Sequence, residues 1–94
     1  MTLTGKQKRH LRALGHHLSP VVMIGHQGLT DAVVEHTNAA LDVHELVKVK
    51  TLADDVTAEL AEKTGAAIVQ ELGHTALLYR RRKKDPVIVL PPRG

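Results

Sequence analysis

Apolar positions along this chain follow two rhythms, one with a helical period and one with a strand period. From Thr4 to about His17, Leu11, Leu14 and Leu18 fall close together on a 3.6-residue wheel, with Gln7 on the same side. Thr4 suits the N-cap. Lys8, Arg12 and His16 follow at i, i+4 and i+8, with Arg9 beside them, and face away from the leucines. The pattern predicts an amphipathic first helix with a basic outer stripe.

Pro20 biases Ser19 away from helix. Val21–Ile24 is apolar on both faces and predicts a short buried strand. After Gly25-His26-Gln27-Gly28, Thr30 is placed to cap a second helix, with Asp31 in its first turn and an end near Val43. In Glu45–Thr51 the valines at 47 and 49 alternate with Lys48 and Lys50, a strand pattern. Asp54 or Asp55 is the expected cap of a third helix that carries Val56, Leu60 and Ala61 and stops at Gly65. Two further strands, Ala66–Leu72 and Thr75–Arg80, flank Gly73-His74, which suits a type II′ hairpin turn. A basic run, a possible short strand near 87–90 and a proline-rich end complete the chain.

The order is α-β-α-β-α-β-β. Helices between strands predict parallel pairing through right-handed crossovers, and the last two strands predict a hairpin. The expected fold class is therefore α/β, a small two-layer domain with a four-stranded mixed sheet. At 94 residues the natural expectation is one domain over 1–94, with a basic, proline-containing tail from about residue 81.

Charge changes the picture more than composition does. The net charge is +3, but residues 1–28 carry +4, residues 29–79 carry −6 and residues 80–94 carry +5. Basic ends around an acidic middle suit a polyanionic partner, and equally suit simple solubility. Tyr79 is the only aromatic residue. Base stacking on several rings, as RNA-recognition sheets and OB barrels use it, is thus excluded, leaving charge and backbone donors. There is no cysteine, hence no disulfide framework or thiolate chemistry. The start is polar and basic, and the longest apolar run is far too short for a bilayer, so the expected setting is cytoplasmic, without membrane contact.

The strand–GxxG–helix joint at Gly25–Gly28 has two readings. One is a tight βα connection needing positive φ twice. The other is a ligand pressed against bare backbone, with phosphate favoured by the helix start that follows. Asp31 counts against phosphate there. Convergence with the basic stripe and with Lys48 and Lys50 favours binding.

The string LTGKQKRHLRALGHHLSPVVMIGHQGLTDAVV, followed by HELVKVK and GHTALLYR, resembles the CRM domain, the chloroplast RNA splicing and ribosome maturation module. Among CRM proteins the likeness is to the stand-alone bacterial YhbY-like form, over about residues 2 to 90. The resemblance implies a fold similar to the C-terminal domain of translation initiation factor three, with strand order 1-2-4-3. It implies association with RNA in precursors of the large ribosomal subunit. It maps RNA contacts onto Gly25, His26, Gln27 and Gly28 of the GxxG loop, onto Lys6, Lys8, Arg9 and Arg12 of the first helix, and onto Lys48 and Lys50. Two departures stand out. His74 occupies a turn position that often carries Lys, and the loop has no Lys or Arg, so its grip falls to backbone donors and a protonated His26.

Other chemistries are disfavoured. The seven histidines form no HExxH or comparable motif, so no metal or other cofactor is expected. No nucleophile elbow or Walker-type phosphate loop is present, so the chain does not read as an enzyme. The rival is a protein-interaction module whose acidic middle docks a ribosomal protein or other basic partner. The run Arg80–Lys84 reads as a solvated terminus or as an RNA contact, and the sequence leaves both open.

Overall fold

The computed structural model describes residues 2–93. Helix α1 spans Gly5–Gly15 and opens with a capping box: the Gln7 N–H donates to Thr4 Oγ1 while the Thr4 N–H donates to Gln7 Oε1. The other elements are β1 (Val22–Ile24), α2 (Asp31–His44), β2 (Leu46–Thr51), α3 (Thr57–Thr64), β3 (Ala67–Leu72) and β4 (Thr75–Tyr79). Thr30 caps α2 by accepting from the Val33 N–H. Neither Asp54 nor Asp55 caps α3. Val56 stands at that N-cap without a side-chain bond, and Asp55 instead takes a positive φ of 57° in the preceding loop. Gly65 ends α3 at φ +70°, as expected of a left-handed C-cap.

The sheet order is β1-β2-β4-β3. β1 and β2 pair in parallel with α2 as the crossover, and β4 enters antiparallel between β2 and β3. This is the α/β class and the mixed four-stranded sheet expected from the sequence. The β3–β4 turn has positive φ at Gly73 and not at His74, the type II′ pattern.

Strand alternation sorts the apolar residues into two cores, one on each face of the sheet. Val47, Val49 and Leu78 point toward α2 and α3, where they meet Leu41, Leu60 and Ala61 along with Val22 and Ile24 of β1. Leu46, Leu77 and Tyr79 point the other way and meet Leu3, Leu11 and Val69, with Ile88 and Leu90 packed on the rim. Helix α1 thus adds cover to part of the second face. Its buried line is Gln7, Leu11 and Gly15, while Leu14 and Leu18, expected in the stripe, are exposed. The reason is Gly15. A Cβ there would lie 2.6 Å from Leu77 Cδ1, so a residue without a side chain lets the end of α1 sit directly on β4.

Among the described residues no strand forms after residue 80. The segment expected as a short strand runs extended across the rim of the second core and is held by a buried carboxylate. Glu45, fully enclosed, accepts from the Arg82 N–H at 2.8 Å and from the Val87 and Ile88 N–H groups at 2.7 Å each. Farther along, Gln7 Nε2 donates to the Pro91 carbonyl at 3.0 Å. The terminus is therefore docked. Among the described residues no helix is long and apolar enough to cross a membrane.

Candidate nucleic-acid interface

The Gly25–Gly28 corner follows β1 directly. It is a turn closed by the Gly28 N–H donating to the Gly25 carbonyl at 3.1 Å. Only Gly28 has a positive φ, +83°. The expectation of positive φ at both glycines is corrected: Gly25 stands in ordinary backbone. A Cβ on Gly25 would meet only the Gln27 side chain, at 3.2 Å. Turn geometry accounts for Gly28 and leaves Gly25 unexplained. His26 and Gln27 form the exposed tip, and their N–H groups take no part in the backbone hydrogen bonds of the fold.

Strand register fixes what lies beside this corner. Met23 pairs with Lys50 and Ile24 with Thr51. Lys50 in turn pairs with Thr75, and Thr75 with Leu72. Paired residues share a face, so Met23, Lys50, Thr75 and Leu72 form a row across all four strands on the face that α1 only partly covers. Met23 is 62% exposed and Leu72 69%. Lys50 stands two residues before the level of Gly25, roughly 7 Å along the strand, and Lys48 roughly 13 Å.

Helix α1 brings its cations to the same face. Arg12, Gly15 and His16 line one hollow together with Lys48, Gln70, Leu72 and Thr75. Lys8 lies one turn before Arg12 on the same flank, and Arg9 is exposed just beyond it. Lys6 is apart, about 120° around the helix from Arg12, against about 60° for Arg9. The structure thus gathers Arg12, Lys48 and Lys50 on one surface with the corner at its end, places Lys8 and Arg9 at its margin, and leaves Lys6 outside. Tyr79 is buried in the second core and offers no ring for stacking. Among the described residues no three His, Asp or Glu side chains converge as a metal site.

A model of the CRS1/YhbY (CRM) domain family matches residues 3–80. The chain belongs to this family. A CRM relative from Haemophilus influenzae, named an RNA-binding protein, is 48% identical over 85 residues, covering 84% of this chain and 86% of the relative. Another, Bacillus subtilis YqeI, named a probable RNA-binding protein, is 38% identical over 95 residues, with 95% and 99% covered. Among solved structures, the solution structure of a Staphylococcus aureus protein described as a candidate RNA binder superposes with a TM-score of 0.77. It is 36% identical and covers 96% of this chain and all of that one.

The features that sequence reasoning missed are Glu45 and Gly15. The alternation puts Glu45 on the side of Val47 and Val49, away from Lys48 and Lys50, and that parity was the one signal of its burial; the amides it binds lie about 40 residues away in sequence. Gly15 lay inside the expected first helix without a role, and its contact with Leu77 depends on a partner 62 residues away, which no local pattern carries.

Proposed function

We propose that this CRM protein binds RNA without catalysing a reaction. In this reading it associates with precursors of the large ribosomal subunit in the cytoplasm and assists their assembly. The corner Gly25, His26, Gln27 and Gly28 receives the sugar-phosphate backbone on bare amides, and Arg12, Lys48 and Lys50 continue the contact along the sheet. Lys8 and Arg9 extend it, and Lys6 contributes only to the long-range field. The observation that carries the reading is Gly25, a glycine that neither φ nor packing requires, at the end of a surface that holds Arg12, Lys48 and Lys50. A side chain there would obstruct a backbone ligand and little else. The names of the relatives support RNA as the ligand, and the ribosomal part follows from the family resemblance. With Tyr79 buried and no Phe or Trp in the chain, shape and phosphate contacts dominate over sequence readout.

The test replaces His26 and Gln27 with Asp. Both are exposed turn residues, so the melting temperature is expected to hold while single-stranded RNA binding falls at least tenfold. Retained binding would return the corner to a purely connecting role. The wild-type salt dependence of that corner surface is expected near a log–log slope of about −3 to −4 if five cations engage single-stranded RNA.

A second reading has its own observation. The carboxylates of Asp31, Glu35, Glu59 and Glu62 on α2 and α3 are exposed, and among the described residues only Asp42 forms an ion pair. That acidic side would dock a ribosomal protein or another basic partner, and it leaves the sheet face free for RNA.

A further inference from the structure

The basic run after β4 is not a loose end. Arg80 is tied down first. Its guanidinium donates to Asn38 Oδ1 at 2.7 Å, to the Asn38 carbonyl at 3.1 Å and to the Thr64 carbonyl at 2.5 Å, and it meets Asp42 Oδ1 at 2.7 Å. It therefore fastens the end of β4 to α2 and to the last turn of α3. Two residues on, the Glu45 carboxylate takes the Arg82 N–H, and after Asp85 turns the chain at φ +53° it takes Val87 and Ile88 as well. The run is pinned at both ends, and Arg81, Lys83 and Lys84 project from it in the open.

These cations rim an open groove of about 730 Å³ that Asn38, Asp42, Thr64 and Arg80 floor. Of the carboxylates near it, Asp85 stands exposed beside Lys84 and two others are occupied. Asp42 is taken by Arg80, and Glu45 is buried and filled by three amides. Among the described residues, none of Arg81, Arg82, Lys83 and Lys84 forms an ion pair.

The groove is also remote from the Gly25–Gly28 corner. Thr75 pairs with Lys50 at one end of β4, and Arg80 lies five residues beyond, roughly 17 Å away along the strand. That exceeds the screening length of about 8 Å at physiological salt, so the two cationic surfaces act as separate seats. Holding the run rigid in advance removes part of the ordering cost of binding.

We infer that Arg81, Lys83 and Lys84, held in place by Arg80 and Glu45, form a second phosphate-binding seat, so that one molecule holds two RNA segments at once. The inference rests on the RNA-binding reading above. The test uses the full chain and two non-complementary single-stranded RNAs, one bearing a fluorescence donor and the other an acceptor, in excess over protein. Wild-type protein is expected to bring them into energy transfer. The variant Arg81→Ala/Lys83→Ala/Lys84→Ala removes only exposed side chains. It is expected to keep its melting temperature and its His26- and Gln27-dependent binding, with the corner's salt slope unchanged, and to lose the transfer. Wild-type protein that binds RNA without transfer, or a triple variant with unchanged transfer, overturns the second seat. Wild-type protein that binds neither RNA overturns the RNA-binding reading itself.

Discussion

Tyr79 carries the one buried side-chain polar atom, among the described residues, that lacks a hydrogen-bond partner. Its ring fills the second core, so the ring contributes and the hydroxyl costs. Tyr79→Phe is therefore expected to leave stability unchanged or to raise it by about 1 kcal/mol, read as the urea midpoint. A loss of more than that would mean the hydroxyl is paired. Burial, then the nearby Glu45 charge, raises the phenol above its ordinary pKa of 10.0, against a smaller opposing pull from Arg81. A raised pKa favours the folded state while the phenol is neutral. The contribution is thus full below pH 10 and fades above it, and Phe at 79 should abolish that alkaline loss. Gly15 gives the opposite lesson. Ala is the better helix former by about 1 kcal/mol, yet a Cβ at 15 would strike the buried Leu77. Gly15→Ala is expected to lower the melting temperature, with overpacking costing about 1–3 kcal/mol. At this scale the sequence was readable where a residue acts through near neighbours, as the capping pair Thr4 and Gln7 does. It was unreadable where the partner lies far along the chain.

Elements were the most legible level, because each long element has a period of its own and its own punctuation. Six of the seven element starts follow from caps, a proline, glycines or alternation. The exception is the start of α3, where two adjacent aspartates competed as caps and the chain used neither. The docked terminus was not legible, because it forms no periodic structure and depends on Glu45. That residue sits at φ +63°, a conformation that L residues occupy rarely, and it persists there because its carboxylate answers three amides. Burial pushes the Glu45 pKa up. The amide donors of Arg82, Ile88 and Val87 and the Arg82 charge more than offset this and hold the pKa below its ordinary value of 4.5. The ionised form is then the folded form's partner. Its stabilisation is complete above about pH 4.5 and is lost as pH falls through the lower folded value. Amide exchange at Val87 and Ile88 is expected to speed up on acidification before the sheet amides do. Glu45→Gln should produce the same exposure near neutral pH, with a stability loss of about 1–3 kcal/mol. Equal protection of the terminus at pH 3 and pH 7 would contradict this.

Across the whole molecule, charge is arranged by end and face. Helix α1 and β2 present cations on one surface beside the corner, the run after β4 presents them on another, and α2 and α3 carry half of the acids. The uneven charge along the sequence announced this division, but its geometry needed the strand order. Because β4 inserts between β2 and β3, Lys50 and Arg80 end at opposite extremes of adjacent strands. The candidate site was legible to the same degree. Arg12, Lys48 and Lys50 converge as the alternation and the wheel require, while Lys6 falls outside because one residue's step around a helix is 100°.

The core beneath α1 draws on both extremities of the polypeptide: Leu3 and Leu11 come from one, Ile88 and Leu90 from the other, and the Gln7–Pro91 bond joins them. On a ribosome, where the chain emerges from its first residue onward, the α2–α3 side can consolidate while synthesis continues. The α1 side must wait for Ile88, Leu90 and Pro91, so its core closes after the one beneath α2 and α3.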